Sequence, residues 1–599
     1  MKSKWLVYAK KADFKAIEQK YGIDQVIARI MRNRDVCTDE EMQMYLNGSI
    51  DGLHAPELLK DAQKAVDILT EKIAQHKKIR IIGDYDIDGI CSITILYKAL
   101  KKAGADVDYV VPHRITDGYG INEHLIDNAA AEGKDTILTC DNGIAAIPQI
   151  QYAKEHGLTV IVTDHHDIPF TEENGEKKLL TSCADAIVDP KQPDCEYPFD
   201  KICGAVVAYK VMQILYEKLG LDKTDFKEYT ELAAIATVGD VVDLKDENRV
   251  IVRQGLAWIA TTKNTGLRAL IEACELDAAH LSAYHIGFII GPCLNASGRL
   301  DTAQRAIELL LCTEPGKAHE MAQELRELNE ERKNMTDTEA KKAIEMVEGT
   351  DLYEDNVLVV YLPECHESVA GIIAGRLREH FYKPSIVITD AADGAKGSGR
   401  SIEGYNMFEE ITKCKELLTK FGGHPMAAGL SLPTENIDLF RAKLNRQQTL
   451  TEKELTPVTW IDVPMPVSYA SKKLVEQLRV LEPFGKGNEK PVFADRKLTV
   501  RSANMIGKNK NVLKMKVRNI FMEFLSLAKQ RCSVRKYKTD EIEKEKLDKI
   551  LEAARIAPTA ANAQSQRLLV ISSQEAKEKL SKGVNYHGAP LAIIVCGDH

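Results

Sequence analysis

The residues able to do chemistry fall in four short clusters of acids and histidines. The first is Asp84-Tyr85-Asp86-Ile87-Asp88-Gly89, the second Asp141-Asn142-Gly143, the third Asp164-His165-His166, and the fourth is Asp240, which closes the run LAAIATVGD. Three carboxylates within five residues repel one another and resist burial unless cations neutralise them. Hard oxygen donors with one or two imidazoles suit Mn²⁺ or Mg²⁺. Two such ions, roughly 3.5–4 Å apart, share a bridging carboxylate, activate a water and steady the oxygens of an in-line phosphoryl displacement. Each cluster alone has a blander reading: a turn or calcium loop for Asp84–Gly89, a surface or core feature for the histidine pair, a plain polar end for Asp240. The first cluster follows an apolar run and lacks the distal Glu of an EF-hand, which disfavours calcium. Together the four read as a two-metal site.

The elements that must position them alternate. Short β-branched runs (IRIIG ending at Gly83, TILTC at 136–140, TVIVT at 159–163) each lead into Asp or Gly and then into helix-like stretches. Strands separated by helices imply βαβ units and a parallel sheet, whose sites form at the carboxyl ends of the strands. The expected fold class is α/β. Residues 1–75 read as an N-terminal helical region, 76–300 as the catalytic α/β domain and 301–350 as a solvated helical connector. Residues 351–448 read as a second α/β unit with strands in NVLVVYL and PSIVITD, 449–520 as short β segments, and 522–599 as a tail of different character. No internal repeat or low-complexity tract is apparent.

With 599 residues, 44% apolar and 28% charged, the chain has the composition of a multidomain globular protein. A net charge of −9 argues against a general nucleic-acid coat, though not against a local basic groove. The 13 cysteines are scattered without CxxC spacing, so no disulfide framework or structural zinc site is expected, and a reducing cytoplasm fits. The N-terminal MKSKWLVYAKK lacks the apolar core of a signal peptide, and no run is long enough to span a bilayer. The expectation is a soluble protein with no membrane contact.

The four clusters resemble the successive motifs of the DHH phosphoesterases. Further segments resemble the RecJ exonucleases within that family: Pro112-His113-Arg114 with Asp117-Gly118-Tyr119-Gly120 (Asp where the family has Glu), and Gly291-Pro292 followed by Asn295-Ala296-Ser297-Gly298-Arg299. Lys396-Gly397-Ser398-Gly399-Arg400-Ser401 and Phe421-Gly422-Gly423-His424 resemble the DHHA1 substrate-binding domain. Leu481-Glu482-Pro483-Phe484-Gly485-Lys486-Gly487-Asn488 resembles the opening of the RecJ OB region. The glycine-rich pieces taken singly are turn chemistry; their joint order over about residues 1–520 carries the resemblance. It implies a metal-dependent 5′→3′ exonuclease that cuts single-stranded DNA to mononucleotides, in repair and recombination alongside single-strand-binding protein and a helicase, and a monomer. Asp86, Asp88, Asp141, His165 and Asp240 are implied to hold two ions, Mn²⁺ or Mg²⁺, with Asp84 in the same set. Asp141, His165 and His166 are implied to be catalytic, His166 at the scissile phosphate. Arg114, Asn295, Arg299, Arg400, Gly422, Gly423 and His424 are implied to bind the strand. Arginine suits this because its planar fork takes two phosphate oxygens. The alternative is another DHH phosphoesterase acting on short oligonucleotides or nucleotide phosphates. A non-catalytic scaffold is disfavoured because every ligand position is filled.

The basic stretch Arg501, Lys508, Lys510, Lys514, Lys516 and Arg518 reads equally as a phosphate-tracking OB face or as lysines guarding an edge strand. After Asn519 the OB region stops early. Met522–Leu525, Arg531–Tyr537 and Ala553–Gln564 resemble the opening of nitroreductase-family flavoproteins, with Arg531, Ser533, Arg535, Asn562 and Gln564 at positions near FMN. Ser565-Gln566 replaces the usual Pro-Trp, and His599 falls about halfway through such a domain. The expectation is a truncated OB region joined to a nitroreductase-like fragment that binds no flavin.

Overall fold

The structure is a computed structural model. It describes residues 3–113, 117–118, 120–173, 176–392, 394–496, 498–507, 512–519, 540–555, 566–585 and 589–597. Arg114, Lys508, Lys510, Arg531, Ser533, Arg535, Asn562 and Gln564 lie outside these residues. The chain divides into two compact units, Met1–Met465 with Tyr469–Ala494, and Pro466–Ser468 with Asp495–His599.

The first unit opens with a short strand, β1 (Lys4–Val7), and helices Phe14–Tyr21, Gln25–Asn33 and Asp39–Asn47. Local sequence sets their starts. Asp13 and Asp24 accept from backbone N–H groups of the first turn, and Thr38 with Glu41 forms a capping box. Helix Ala62–Ala74 buries Ala62, Ala65, Val66 and Leu69, one stripe at helical spacing, in the core of the domain that follows.

That domain is built on a five-stranded parallel sheet of β2 (Lys78–Ile82), β3 (Asp106–Val110), β4 (Thr136–Cys140), β5 (Thr159–Thr163) and, after a hairpin of β6 (Phe170–Glu173) and β7 (Glu176–Leu179), β8 (Ala186–Val188). The order is β3-β2-β4-β5-β8. Every residue of β4 is buried, as expected of a strand covered on both faces. Helices Ile87–Lys102, Gly204–Leu219 and Phe226–Gly239 contribute to the core on one face; residues of Glu123–Ala131 and Ile147–Glu155 form the core on the other. The chain leaves β2 in one direction to reach β3 and lies on its other side at β4. This reversal is a topological switch point, where the carboxyl ends of neighbouring strands leave a crevice.

The charged run 301–350 is largely one helix, Pro315–Gly349. It is more than a solvated connector. Ala318, Ala322 and Leu325 pack into the first core, and Ala340, Ala343 and Val347 into the core of the next domain. Four of these six buried positions are alanines. The second α/β domain carries β9 (Leu358–Tyr361), β10 (Ser385–Ala391), β11 (Gly394–Arg400), β12 (Lys420–His424) and β13 (Ala427–Leu432) in the order β12-β13-β11-β10-β9, with β9 and β10 parallel and the rest antiparallel.

The segment VTWIDV provides β14 (Val458–Ile461), which pairs in parallel with β1. Arg34 and Asp462 seal this junction as a buried ion pair, Nη1 to Oδ1 2.6 Å, and Arg249 donates to the carbonyls of Val480 and Leu481. The second unit contains the hairpin Leu498–Ile506 with Val512–Asn519, helix Lys544–Arg555, helix Gln574–Ser581, and the antiparallel pair Gln566–Ile571 with Ala592–Gly597.

Candidate metal centre

Each cluster sits at the end of an element that aims it into one crevice. Asp84 follows β2, Asp141 follows β4 and Asp164 follows β5. Asp86 caps helix Ile87–Lys102, its Oδ1 accepting from the N–H groups of Asp88 and Gly89. Asp88, fully buried, accepts from the N–H groups of Gly204 (2.6 Å) and Ala205 (2.7 Å), at the positive end of helix Gly204–Leu219. Asp240 is the residue after helix Phe226–Gly239. Two glycines make the convergence possible. A Cβ on Gly204 would lie 2.8 Å from the Cβ of Asp141, and one on Gly298 would lie 2.3 Å from the carbonyl oxygen of Tyr85.

The result is three overlapping donor sets. Asp84, Asp86 and Asp141 bring one ligand atom each within 4.8 Å of one another; so do Asp88, His165 and Asp240, and so do Asp141, His165 and His166. His165 Nε2 stands 3.1 Å from Asp141 Oδ1, 3.6 Å from Asp88 Oδ2 and 3.8 Å from Asp240 Oδ2. Asp141 belongs to two of the three sets and lies between the others. Its φ of +59° turns the backbone so that the carboxylate faces inward from the strand end, a conformation that Asp tolerates better than most residues.

Burial and mutual repulsion set the electrostatics of the crevice. Burial, then the charge of Asp86, pushes the Asp88 carboxyl up to about 6, against the pull of its two backbone donors. Burial and the neighbouring carboxylates push Asp240 up to about 8 and Asp141 well above the usual carboxylate range. Burial, with His166 beside it, holds His165 down to about 3, so its imidazole is neutral and free to ligate. His166 goes the other way. Burial opposes its charge, but the Asp164 carboxylate 2.7 Å from Nδ1, helped by Asp240 and Asp88, raises it to about 9. Buried carboxylates that repel one another, around a neutral imidazole, fit hard divalent ions.

The structure thus brings Asp84, Asp86, Asp88, Asp141, His165, His166 and Asp240 into one crevice. The expected strand-binding residues lie on the surrounding elements. Asn295 and Arg299 are on helix Gly291–Leu300, and Arg299 Nη1 donates to the carbonyl of Ser368 at the start of helix Glu367–Phe381 (2.8 Å). Arg400 ends β11, where it donates to the carbonyl of Gly399. Gly422, Gly423 and His424 lie on β12, with His424 Nδ1 4.0 Å from Asp167, the residue after the histidine pair.

Sequence reasoning assigns no role to three buried residues that shape the site. Asp164 accepts from the N–H groups of Ile144, His165 and His166 besides the His166 ring, and this network holds it below the usual range despite its burial. Asn142 donates to the carbonyls of Ile82 and Cys140 and accepts from Ile121 N, tying two strand ends to the loop at Gly120. Asp189, buried at the end of β8, is pushed up to about 8 by burial and then by Asp164. Asp164 and Asn142 stand inside the acidic clusters themselves. Asp189 ends an apolar run as Asp84 and Asp141 do, and that shared pattern is the signal that marks it.

A parallel sheet with acids and histidines at its switch point is the architecture of a DHH phosphoesterase. The DHH family N-terminal domain model matches residues 78–237, the DHHA1 domain model 354–449, the RecJ OB domain model 461–526 and the nitroreductase family model 528–585. The single-stranded-DNA-specific exonuclease RecJ of Bacillus subtilis is 36% identical over 523 residues, 86% of this chain but 64% of the relative, so the match spans just under two thirds of that protein. Those of Dickeya dadantii and Escherichia coli are 35% and 34% identical, covering 79% and 78% of this chain and 84% and 82% of their own length. The chain belongs to the RecJ family. Among solved structures, Thermus thermophilus RecJ in complex with Mn²⁺ superposes with a TM-score of 0.72 at 27% identity, over 86% of this chain and 74% of that one. An exonuclease RecJ bound to manganese gives 0.56 at 33%, over 65% and 94%. Among the described residues, no helix is long and apolar enough to cross a membrane.

Proposed function

We propose that the chain is a metal-dependent exonuclease that hydrolyses single-stranded DNA from its 5′ end to mononucleotides. The observation that carries the reading is the chain of overlapping donor sets: Asp141 groups with Asp84 and Asp86, and its Oδ1 stands 3.1 Å from Nε2 of His165, which groups with Asp88 and Asp240. Asp84, Asp86 and Asp141 would hold one ion, and Asp88, His165 and Asp240, with Asp141 beside them, the other, with Mn²⁺ or Mg²⁺ as the fitting metals. When bound, the ions supply an activated water and charge stabilisation at the phosphoryl oxygens. The side chains supply the rest. His166, kept protonated by Asp164, donates a hydrogen bond to the scissile phosphate. Asp164 fixes the ring that donates it, and Asp88 stays oriented through the helix N–H groups it accepts. Arg114, Arg299 and Arg400 grip backbone phosphates, Asn295 and His424 position the strand, and Gly422 and Gly423 allow close approach of backbone. Selection of single strands then comes from access and backbone contacts rather than base reading.

We place this activity in cytoplasmic DNA repair and recombination, as a monomer working with single-strand-binding protein and a helicase, and assign the tail no flavin chemistry. The decisive assay offers Mn²⁺ and purified full-length chain a single strand blocked at its 5′ end, one blocked at its 3′ end, and a dinucleotide. Digestion of the 3′-blocked strand alone supports the reading. Preference for the dinucleotide would favour a phosphoesterase of short oligonucleotides instead.

A further inference from the structure

The sulfurs of Cys274 and Cys293 stand 3.7 Å apart in hydrogen-bonding contact, though 19 residues separate them in sequence. Cys274 is half-buried and follows helix Thr265–Ala273; Cys293 is buried in helix Gly291–Leu300, two residues before Asn295 and six before Arg299. Helix Pro315–Gly349 frames the pair. Arg326 donates to the carbonyl of Ala273 (2.7 Å) and to Glu275, which brings its guanidinium beside Cys274, and Asn329 donates to the sulfur of Cys293 (3.4 Å). The hydrogen bond from Cys293, then Arg326 and Lys333 against the cost of burial, favours the Cys274 thiolate, while the Cys293 thiol keeps its proton. A stabilised thiolate with a second thiol in contact is the arrangement of an attacking and a resolving cysteine.

We propose that Cys274 and Cys293 form a reversible oxidation site, at which a peroxide converts the thiol pair to a disulfide that displaces the helix bearing Asn295 and Arg299. The Cys274 thiolate attacks one peroxide oxygen and the O–O bond breaks, giving a sulfenic acid and hydroxide, which takes up a proton as water. The sulfur of Cys293 then loses its proton and attacks the sulfenic sulfur, and the departing hydroxide leaves as a second water. Two thiols and one hydrogen peroxide thus give one disulfide and two waters. A disulfide needs its sulfurs about 2.05 Å apart, so the pair must close by about 1.7 Å. Gly298 lies so near Tyr85 that a Cβ on it would stand 2.3 Å from the Tyr85 carbonyl oxygen, so a shift of this helix is transmitted to the Asp84–Gly89 loop. The effect on DNA rests on the exonuclease reading; the chemistry of the pair does not.

The test treats the full-length chain with a few equivalents of hydrogen peroxide in EDTA, removes the oxidant, and maps peptides without reduction. The expected result is a linked Cys274–Cys293 peptide. Once Mn²⁺ is restored, hydrolysis of a single strand should be about tenfold to a hundredfold slower, as for misplacement of a positioning group by ångströms. Dithiothreitol should restore the rate, and Cys274→Ser should keep its rate through the same treatment. Absence of the linked peptide, or a linked protein that digests DNA at the reduced protein's rate, overturns the proposal. A reduced enzyme inactive on DNA would count against the exonuclease reading while the peptide map still decides the oxidation site.

Discussion

Removing one acid from the crevice should make the metal-free protein more stable, and Asp240→Asn is the clearest case. Its carboxyl moves from an ordinary value of 3.8 up to about 8 because burial and then the carboxylates of Asp88 and Asp86 penalise its charge. At about 1.4 kcal/mol per pH step, roughly four steps bound the cost of ionising it in the metal-free fold at about 6 kcal/mol. Water reaching a side chain 26% exposed reduces this to about 2–3 kcal/mol. The sign follows from proton linkage. The folded state binds the proton more tightly than the unfolded chain, so this contribution is full below 3.8 and is lost as pH rises through about 8. At pH 9 in EDTA, Asp240→Asn should therefore melt about 4–10 °C above wild type, and at pH 5 the gap should shrink to roughly half of that. Saturating Mn²⁺ should close the gap, because an ion at a hundredfold over its dissociation constant adds about 2.7 kcal/mol to whichever protein binds it. Differential scanning fluorimetry at both pH values, with EDTA or Mn²⁺, reads all four conditions. A variant less stable than wild type in EDTA at pH 9, or equal stabilisation of both proteins by Mn²⁺, would refute the reasoning.

Substitutions at three other positions address separate parts of the molecule. Asp141→Asn should lower hydrolysis at least about a hundredfold with melting in EDTA maintained or raised; Asp141→Ala should add about 1 kcal/mol of strain at its positive φ, which Asn avoids, and full activity in either would contradict the shared-ligand assignment. Arg299→Ala should weaken binding of single-stranded DNA and flatten its dependence on log salt by about 0.7 for each phosphate no longer neutralised; an unchanged slope in fluorescence anisotropy would remove Arg299 from the strand path. Arg34→Ala leaves Asp462 charged and buried, so it should cost about 3–5 kcal/mol in urea unfolding, and an unshifted midpoint would show the junction of β1 and β14 to be dispensable.

The parallel sheet and its site were legible because both follow from short-range rules. Apolar runs such as TILTC are fully buried strands, and the acid that ends each one falls at a carboxyl edge. The positions of Asp84, Asp141 and His165 required little beyond that. Asp240 was legible only beside the other three clusters, because an Asp closing a helix has no distinctive local pattern. Long-range pairings left no such trace. Nothing in Lys4–Val7 indicates that it pairs with Val458–Ile461, or that Arg34 meets Asp462 across 428 residues. The helix Pro315–Gly349 read as solvated because its charges outnumber its apolar residues; its buried alanines are a thin stripe that composition hides. The contact of Cys274 with Cys293 depends on two helices folding together and has no signature in spacing.

The central claim is that carboxylates and an imidazole from four separate segments surround two cations with Asp141 between them. Electron paramagnetic resonance of the full-length chain titrated with Mn²⁺ tests this most directly. Two ions per chain with an exchange-coupled spectrum, and loss of the coupling in Asp141→Asn, is the predicted result. A single uncoupled ion, or coupling that survives that substitution, would contradict it.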